Sequence, residues 1–182
     1  MTFFSQQLVY TGGALVCALL ASLFDVRERR IPNRITGPAI ACGLALHIAI
    51  GGARGFGDSA AAGLIAGALC LIFFLAGGMG AGDVKLMTAI GCFAGLSTLR
   101  LILPAAAVCA AILGLALSIR HGRLRATLLN VGELVLHHAR LGLERHPDLN
   151  LTNPGALRLP FAVPVAAGCV IAVCATALEI LP

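Results

Sequence analysis

Long apolar runs alternate along this chain with short breaks of charge or glycine. Six runs stand out: Leu8–Phe24, Thr36–Gly52, Ala60–Gly78, Val84–Leu99, Leu101–Ile119 and Leu159–Leu178. A helix crossing the hydrocarbon core needs ~20 apolar residues, so runs of this length predict membrane spans. The shorter ones call for upright helices or a locally thinned bilayer. Val84–Leu99 is short enough to fit a re-entrant segment as well. The expected fold class is all-α: a polytopic membrane protein, a compact bundle of about six transmembrane helices in one domain over residues 1–182. Because "MTFFSQQ" lacks the basic residues of a signal peptide, the first run is expected to persist as a helix.

Composition strengthens this picture. The chain is 59% hydrophobic and only 12% charged, with a mean hydropathy of +0.96, whereas soluble domains carry about 25% charged residues. The net charge of +5 would suit nucleic acid, but its placement points elsewhere. Arg27, Arg29, Arg30 and Arg34 follow the first run, Lys85 follows the third, and Arg120, Arg123, Arg125, Arg140, Arg145 and Arg158 follow the fifth. Six crossings with the N-terminus outside put all of these on one side, leaving Arg54 and Arg100 on the other. The positive-inside rule makes the first side cytoplasmic. Were Val84–Leu99 not to cross, the asymmetry would vanish, so a crossing is expected. The partner implied by the charge is therefore a lipid bilayer, and no nucleic acid.

Small-residue pairs in "GLIAG" (Gly63, Gly67) and "GCFAG" (Gly91, Gly95) predict close helix packing in lipid. Pro38 fits the first turn of the second span, while Pro104 and Pro164 are expected to kink theirs. The cysteines all lie within runs and form no CxxC pair, so neither a disulfide scaffold nor a zinc site is expected. His47 is expected to pack between helices, and His137 and His138 to lie at the surface. The one long connection, residues 120–158, is expected in the cytoplasm. There Leu124, Leu128, Val131 and Val135 share a helical face that suits either a helix on the inner leaflet or a solvated loop helix.

Two aspartates sit where an apolar run meets the predicted cytoplasmic face: Asp25 ends the first run and Asp83 precedes the fourth. Two crossings separate them, so the chain returns to the same side and brings them level. Acids at such depth are costly and mark candidate functional sites. Two carboxylates sharing a proton supply a base that activates water and an acid that protonates the amide, which is peptide hydrolysis without a metal. The alternating glycines before Asp83, in "GGMGAGDVK", leave room for a substrate backbone or the Asp25 helix to approach. Helix-end dipoles favour the charged form at Asp83, which opens a helix, over Asp25, which closes one. Lys85, two residues from Asp83, is not placed to pair with it; it either snorkels to the headgroups or positions the site.

"GAGDVK" resembles the GxGDxK motif of type IV prepilin peptidases, and "DVRERRIPNRIT" is similar to that family's other signature, an aspartate followed by Ile-Pro-Asn. "LRLPFAVPVAAG" resembles its last proline-bearing span, with Ala162 where the family often has Gly. The resemblance implies an inner-membrane aspartic endopeptidase that removes the leader of type IV, Flp-like prepilins or pseudopilins, with Asp25 and Asp83 as the catalytic pair. It also implies that Gly80, Gly82, Lys85, Pro32 and Asn33 shape the site. No metal or other cofactor is implied, and the expected partners are the prepilin, with its hydrophobic N-terminal helix, and a pilus assembly machinery. No CxxC-bearing domain precedes the first motif, so N-methyltransferase activity is not expected. The short form is similar to the enzymes of tight-adherence (Flp) pilus systems. Presenilin-like proteases share GxGD but pair it with Tyr-Asp, where this chain has Phe24 before Asp25. Two other classes fit part of the pattern. A proton-coupled small transporter would want its acids at midplane within inverted repeats, and a non-catalytic assembly subunit would not need both acids intact.

Overall fold

The computed structural model of the chain describes residues 3–150 and 159–178. Five helices follow in order: α1 (Phe3–Glu28), α2 (Asn33–Leu75), α3 (Ala81–Arg120), α4 (Leu124–Leu141) and α5 (Ala162–Ala177). The described residues hold no strand, and the molecule is a polytopic helical bundle. Leu157 and Arg158, at the start of the expected last-span motif, lie outside the described residues.

The two longest helices each contain one break, and both breaks fall at glycine. Gly52 adopts φ 58°, ψ −142° and Gly95 adopts φ 66°, ψ 174°, a left-handed region that L side chains rarely enter. The chain doubles back at each. In a straight helix residues 47 and 55 would stand ~12 Å apart, yet a Cβ on Gly55 would collide with the His47 carbonyl. Likewise a straight α3 would carry Ala106 ~35 Å beyond Asp83. A Cβ on Gly168 would nevertheless lie 2.9 Å from the Ala106 nitrogen. Gly168 stands only ~9 Å past Ala162 along α5, and the N–H of Ala162 meets Asp25. Counting each half separately, α1, the halves of α2, the halves of α3, and α5 make six apolar segments.

Boundaries differ from expectation for identifiable reasons. The stretch 53–59, rich in glycine and carrying Arg54 and Asp58, reads as a loop but is helical right up to Gly52. Asp58 explains part of this, because its Oδ2 accepts the Leu96 N–H at 3.2 Å, capping the second half of α3 from the neighbouring helix. Pro38 does not open α2. That helix starts at Asn33, so Pro38 lies within it. Pro164 occupies the first turn of α5, where no intrahelical bond is lost.

The interior is rich in small residues, with Leu86, Met87, Ile90 and Ile102 among the few large ones, and many large apolar residues face outward. Ala14, Ala18, Ala62, Ala66, Ala89 and Ala172 are buried, whereas Leu64 is 72% exposed and Ile112 62%. In lipid, small residues let backbones approach and large apolar ones face the tails. The two glycine pairs meet each other: a Cβ on Gly91 would lie 2.6 Å from the Ala62 carbonyl oxygen, and one on Gly63 would strike Cys92 Sγ. His47 is buried in the same seam, stacked on Tyr10 at 3.8 Å with Nε2 3.0 Å from the Phe93 carbonyl.

Candidate active site

The α1–α2 and α2–α3 connections converge at one end of the bundle around a cavity of about 660 Å³. Asp25 and Asp83 both line it, close enough for the charge of one to act on the other. The even number of crossings between them is what brings them level.

Asp25 stands in the last turn of α1 and is 8% exposed. Its Oδ2 accepts the Ala162 N–H at 3.0 Å, while Ser22 Oγ donates to the Ala162 carbonyl at 2.9 Å. Ser22 and Asp25 are one helical turn apart and share a face. Together they clamp both polar atoms of one residue at the start of α5. This contact uses only the backbone of Ala162, so it does not depend on whether Ala or Gly occupies that position.

Asp83 is the third residue of α3, and its Oδ2 accepts the N–H of Gly80, the capping residue, at 3.1 Å. Gly80 has no side chain to return the bond, so this is half of a capping box. Among the described residues no other hydrogen bond reaches either carboxylate. Each acid is therefore oriented through one oxygen, leaving the other uncommitted.

The glycines before Asp83 serve different ends. Gly77 turns the chain with φ +82°. A Cβ on Gly80 would sit 3.2 Å from Asp83 Oδ2, crowding the cap. At Gly82 a Cβ would meet Ile31, at 3.2 Å from its Cβ and 3.5 Å from its nitrogen. The neighbour that approaches Gly82 is thus the loop after α1, one residue before Pro32, and not the Asp25 helix itself. Pro32 precedes α2 with φ −69°, ψ 140°, and its carbonyl accepts the N–H of Ile35 at 3.0 Å. Asn33, the first residue of α2, accepts a hydrogen bond from Lys85 Nζ at 2.8 Å. Lys85 accordingly bridges the two motifs rather than pairing with Asp83. Of the seven residues picked out from the two motifs, Asp25, Asp83, Gly80 and Gly82 line the cavity, whereas Pro32, Asn33 and Lys85 do not line it.

Sequence reasoning did not find the far wall. Arg145, after α4, donates from Nε to the Leu75 carbonyl at 3.3 Å and lies 5.6 Å over the Phe74 ring. Its Cγ and the Cβ of Asn150 rest against Gly77, and both residues line the cavity. His146 organises this strap: it is buried, and its Nδ1 accepts the N–H groups of Asp148 (3.2 Å) and Leu149 (3.0 Å). His137 is half-buried against it, with ring centroids 4.7 Å apart, so the loop histidines are not merely surface residues. Nothing local in "LERHPDLN" announces these contacts. Ser22, by contrast, was discoverable from its spacing to Asp25.

A membrane-embedded helical bundle with paired carboxylates at one end defines a class of candidate intramembrane hydrolases. Residues 13–115, more than half of the chain and including both aspartates, match the model of the type IV leader peptidase family. The chain belongs to that family and is a protease of the leader-peptidase type. No curated protein and no solved structure matches it.

Proposed function

We propose that the chain is an aspartic endopeptidase which removes the leader of a type IV, Flp-like prepilin or pseudopilin at the cytoplasmic face of the bacterial inner membrane. The observation that carries this reading is the shared cavity of Asp25 and Asp83, two acids on different spans, each held through one oxygen by a backbone N–H. In the proposed reaction one carboxylate, ionised, draws a proton from a water held between the pair, and that water attacks the scissile carbonyl. The other, protonated, hydrogen-bonds the carbonyl oxygen. Collapse of the tetrahedral species passes a proton to the leaving nitrogen, and the pair regains its single shared proton.

The arginines around the cavity support a cytoplasmic orientation by the positive-inside rule. A substrate entering as a hydrophobic helix beside the bundle would present its scissile bond at the level of the acids. Co-expression with a candidate prepilin, followed by N-terminal sequencing of the product, tests the proposal. The expected product begins at the boundary between leader and hydrophobic helix. A precursor left intact, or cut elsewhere, would contradict it.

A further inference from the structure

We infer that α4 is a membrane-surface helix that docks on the anionic headgroups and outer acyl region of the leaflet around the active site. Its two ends are tethered to same-side ends of spanning helices. Thr127 Oγ1 meets Ser118 Oγ, at the end of α3, at 3.1 Å, and Arg145, just beyond α4, holds the end of α2 through the Leu75 carbonyl. A helix of 18 residues, ~27 Å long, strung between two such points runs across the face of the bundle at the membrane boundary.

The flanks of α4 are unequal. One faces the protein's own strap: Glu133 reaches His146 Nε2 at 3.4 Å, and His137 Nε2 lies 3.0 Å from the Glu144 carbonyl. Beside it Leu128, Leu129 and Leu136 line an open groove shared with Glu133, His137 and His146, and Val131 and Val135 lie further round the helix; each of the five is more than half exposed, and α4 buries none of its residues. Leu124, which the sequence places on this face, is instead half-buried. Charge identifies what covers the open flank. Apart from Arg145, which is engaged at Leu75 and Phe74, the chain from residue 120 to the end of α4 carries Arg120, Arg123, Arg125 and Arg140 against Glu133. A basic helix with an open apolar flank matches an anionic lipid surface, its arginines meeting headgroups while the leucines and valines enter the acyl boundary.

The chain contains no tryptophan, so a single one reports its own surroundings. The full-length Leu129→Trp protein is reconstituted in phosphatidylcholine vesicles, with and without phosphatidylglycerol, using lipids with brominated acyl chains as quenchers. Asn130→Trp, off the apolar flank, is the comparison, and Leu136→Trp repeats the measurement about two turns further on (~10 Å). Docking predicts blue-shifted, strongly quenched emission at Leu129 and Leu136, deeper in the anionic vesicles, with Asn130→Trp little quenched. Adding Arg125→Gln and Arg140→Gln should reduce quenching in anionic vesicles to the neutral-lipid level. Red-shifted, unquenched emission from both apolar positions would overturn the inference by showing a solvated helix. Blue-shifted emission without bromine quenching would overturn it by showing protein, from this chain or a second copy, on that flank.

Discussion

Replacing Gly91 by alanine tests whether the glycine seam between α2 and α3 sets the position of Asp83. The added Cβ would lie 2.6 Å from the Ala62 oxygen, 2.8 Å from the Ala62 carbonyl carbon and 2.9 Å from Gly63 Cα. All three are backbone atoms, so no side chain can swing away. Ordinary van der Waals contact begins near 3.4 Å, and the helices must therefore part by roughly half an ångström or more. Overpacking of this kind costs about 1–3 kcal/mol, against which alanine's better helix propensity returns at most about 1 kcal/mol. Gly91 is ~12 Å along the same helix from Asp83, so the displacement carries to the acid. A shift of order 1 Å in a reacting group can cost about a hundredfold in rate. The expected outcome is lower thermal stability in lipid nanodiscs and a ten- to hundredfold slower processing of a prepilin substrate. Gly114→Ala is the control, since nothing lies within 4 Å of its Cβ, and it should leave both readouts unchanged or slightly raise stability. If Gly91→Ala matched Gly114→Ala in both assays, the seam would not be positioning Asp83.

Three further outcomes are expected. Lys85→Met removes the 2.8 Å bond to Asn33; because the pair is exposed, thermal unfolding should move by no more than about 1 kcal/mol, while processing falls severalfold and Lys85→Arg recovers part of it. Arg145→Gln loses the stacking on Phe74 and weakens the tie to Leu75, so steady-state kinetics should show the substrate KM raised more than kcat is lowered. Asp58→Ala uncaps Leu96 and should lower stability by about 1 kcal/mol, without changing the rate per folded molecule in an active-site-titrated assay.

The fold was largely legible because hydrophobic length is a direct physical requirement of the bilayer. The six apolar segments follow from it, as does the pairing of Asp25 with Asp83 at one end. Where the sequence misled, polarity and secondary structure had come apart. Residues 53–59 carry the composition of a loop yet remain helical, since a single left-handed glycine suffices to reverse the chain. The identity of the motif residues was visible, but their partners were not. Lys85 pairs with a residue 52 positions away, and Ala162 reaches Asp25 across 137; no local periodicity encodes such distances. The strap at Arg145 and His146 was least legible, because its contacts depend on how α4 folds back over Phe74 and Gly77.

The most direct test of the central claim is in vitro cleavage of a purified prepilin by the reconstituted protein, compared with Asp25→Asn and Asp83→Asn at equal folded concentration. Both amides preserve the shape of the side chain and its acceptor oxygen for the Ala162 or Gly80 N–H. Neither can exchange a proton with water. Loss of cleavage in both variants, with thermal stability kept near that of the parent, is the predicted result. Cleavage persisting at the parental rate in either one would contradict the two-carboxylate mechanism.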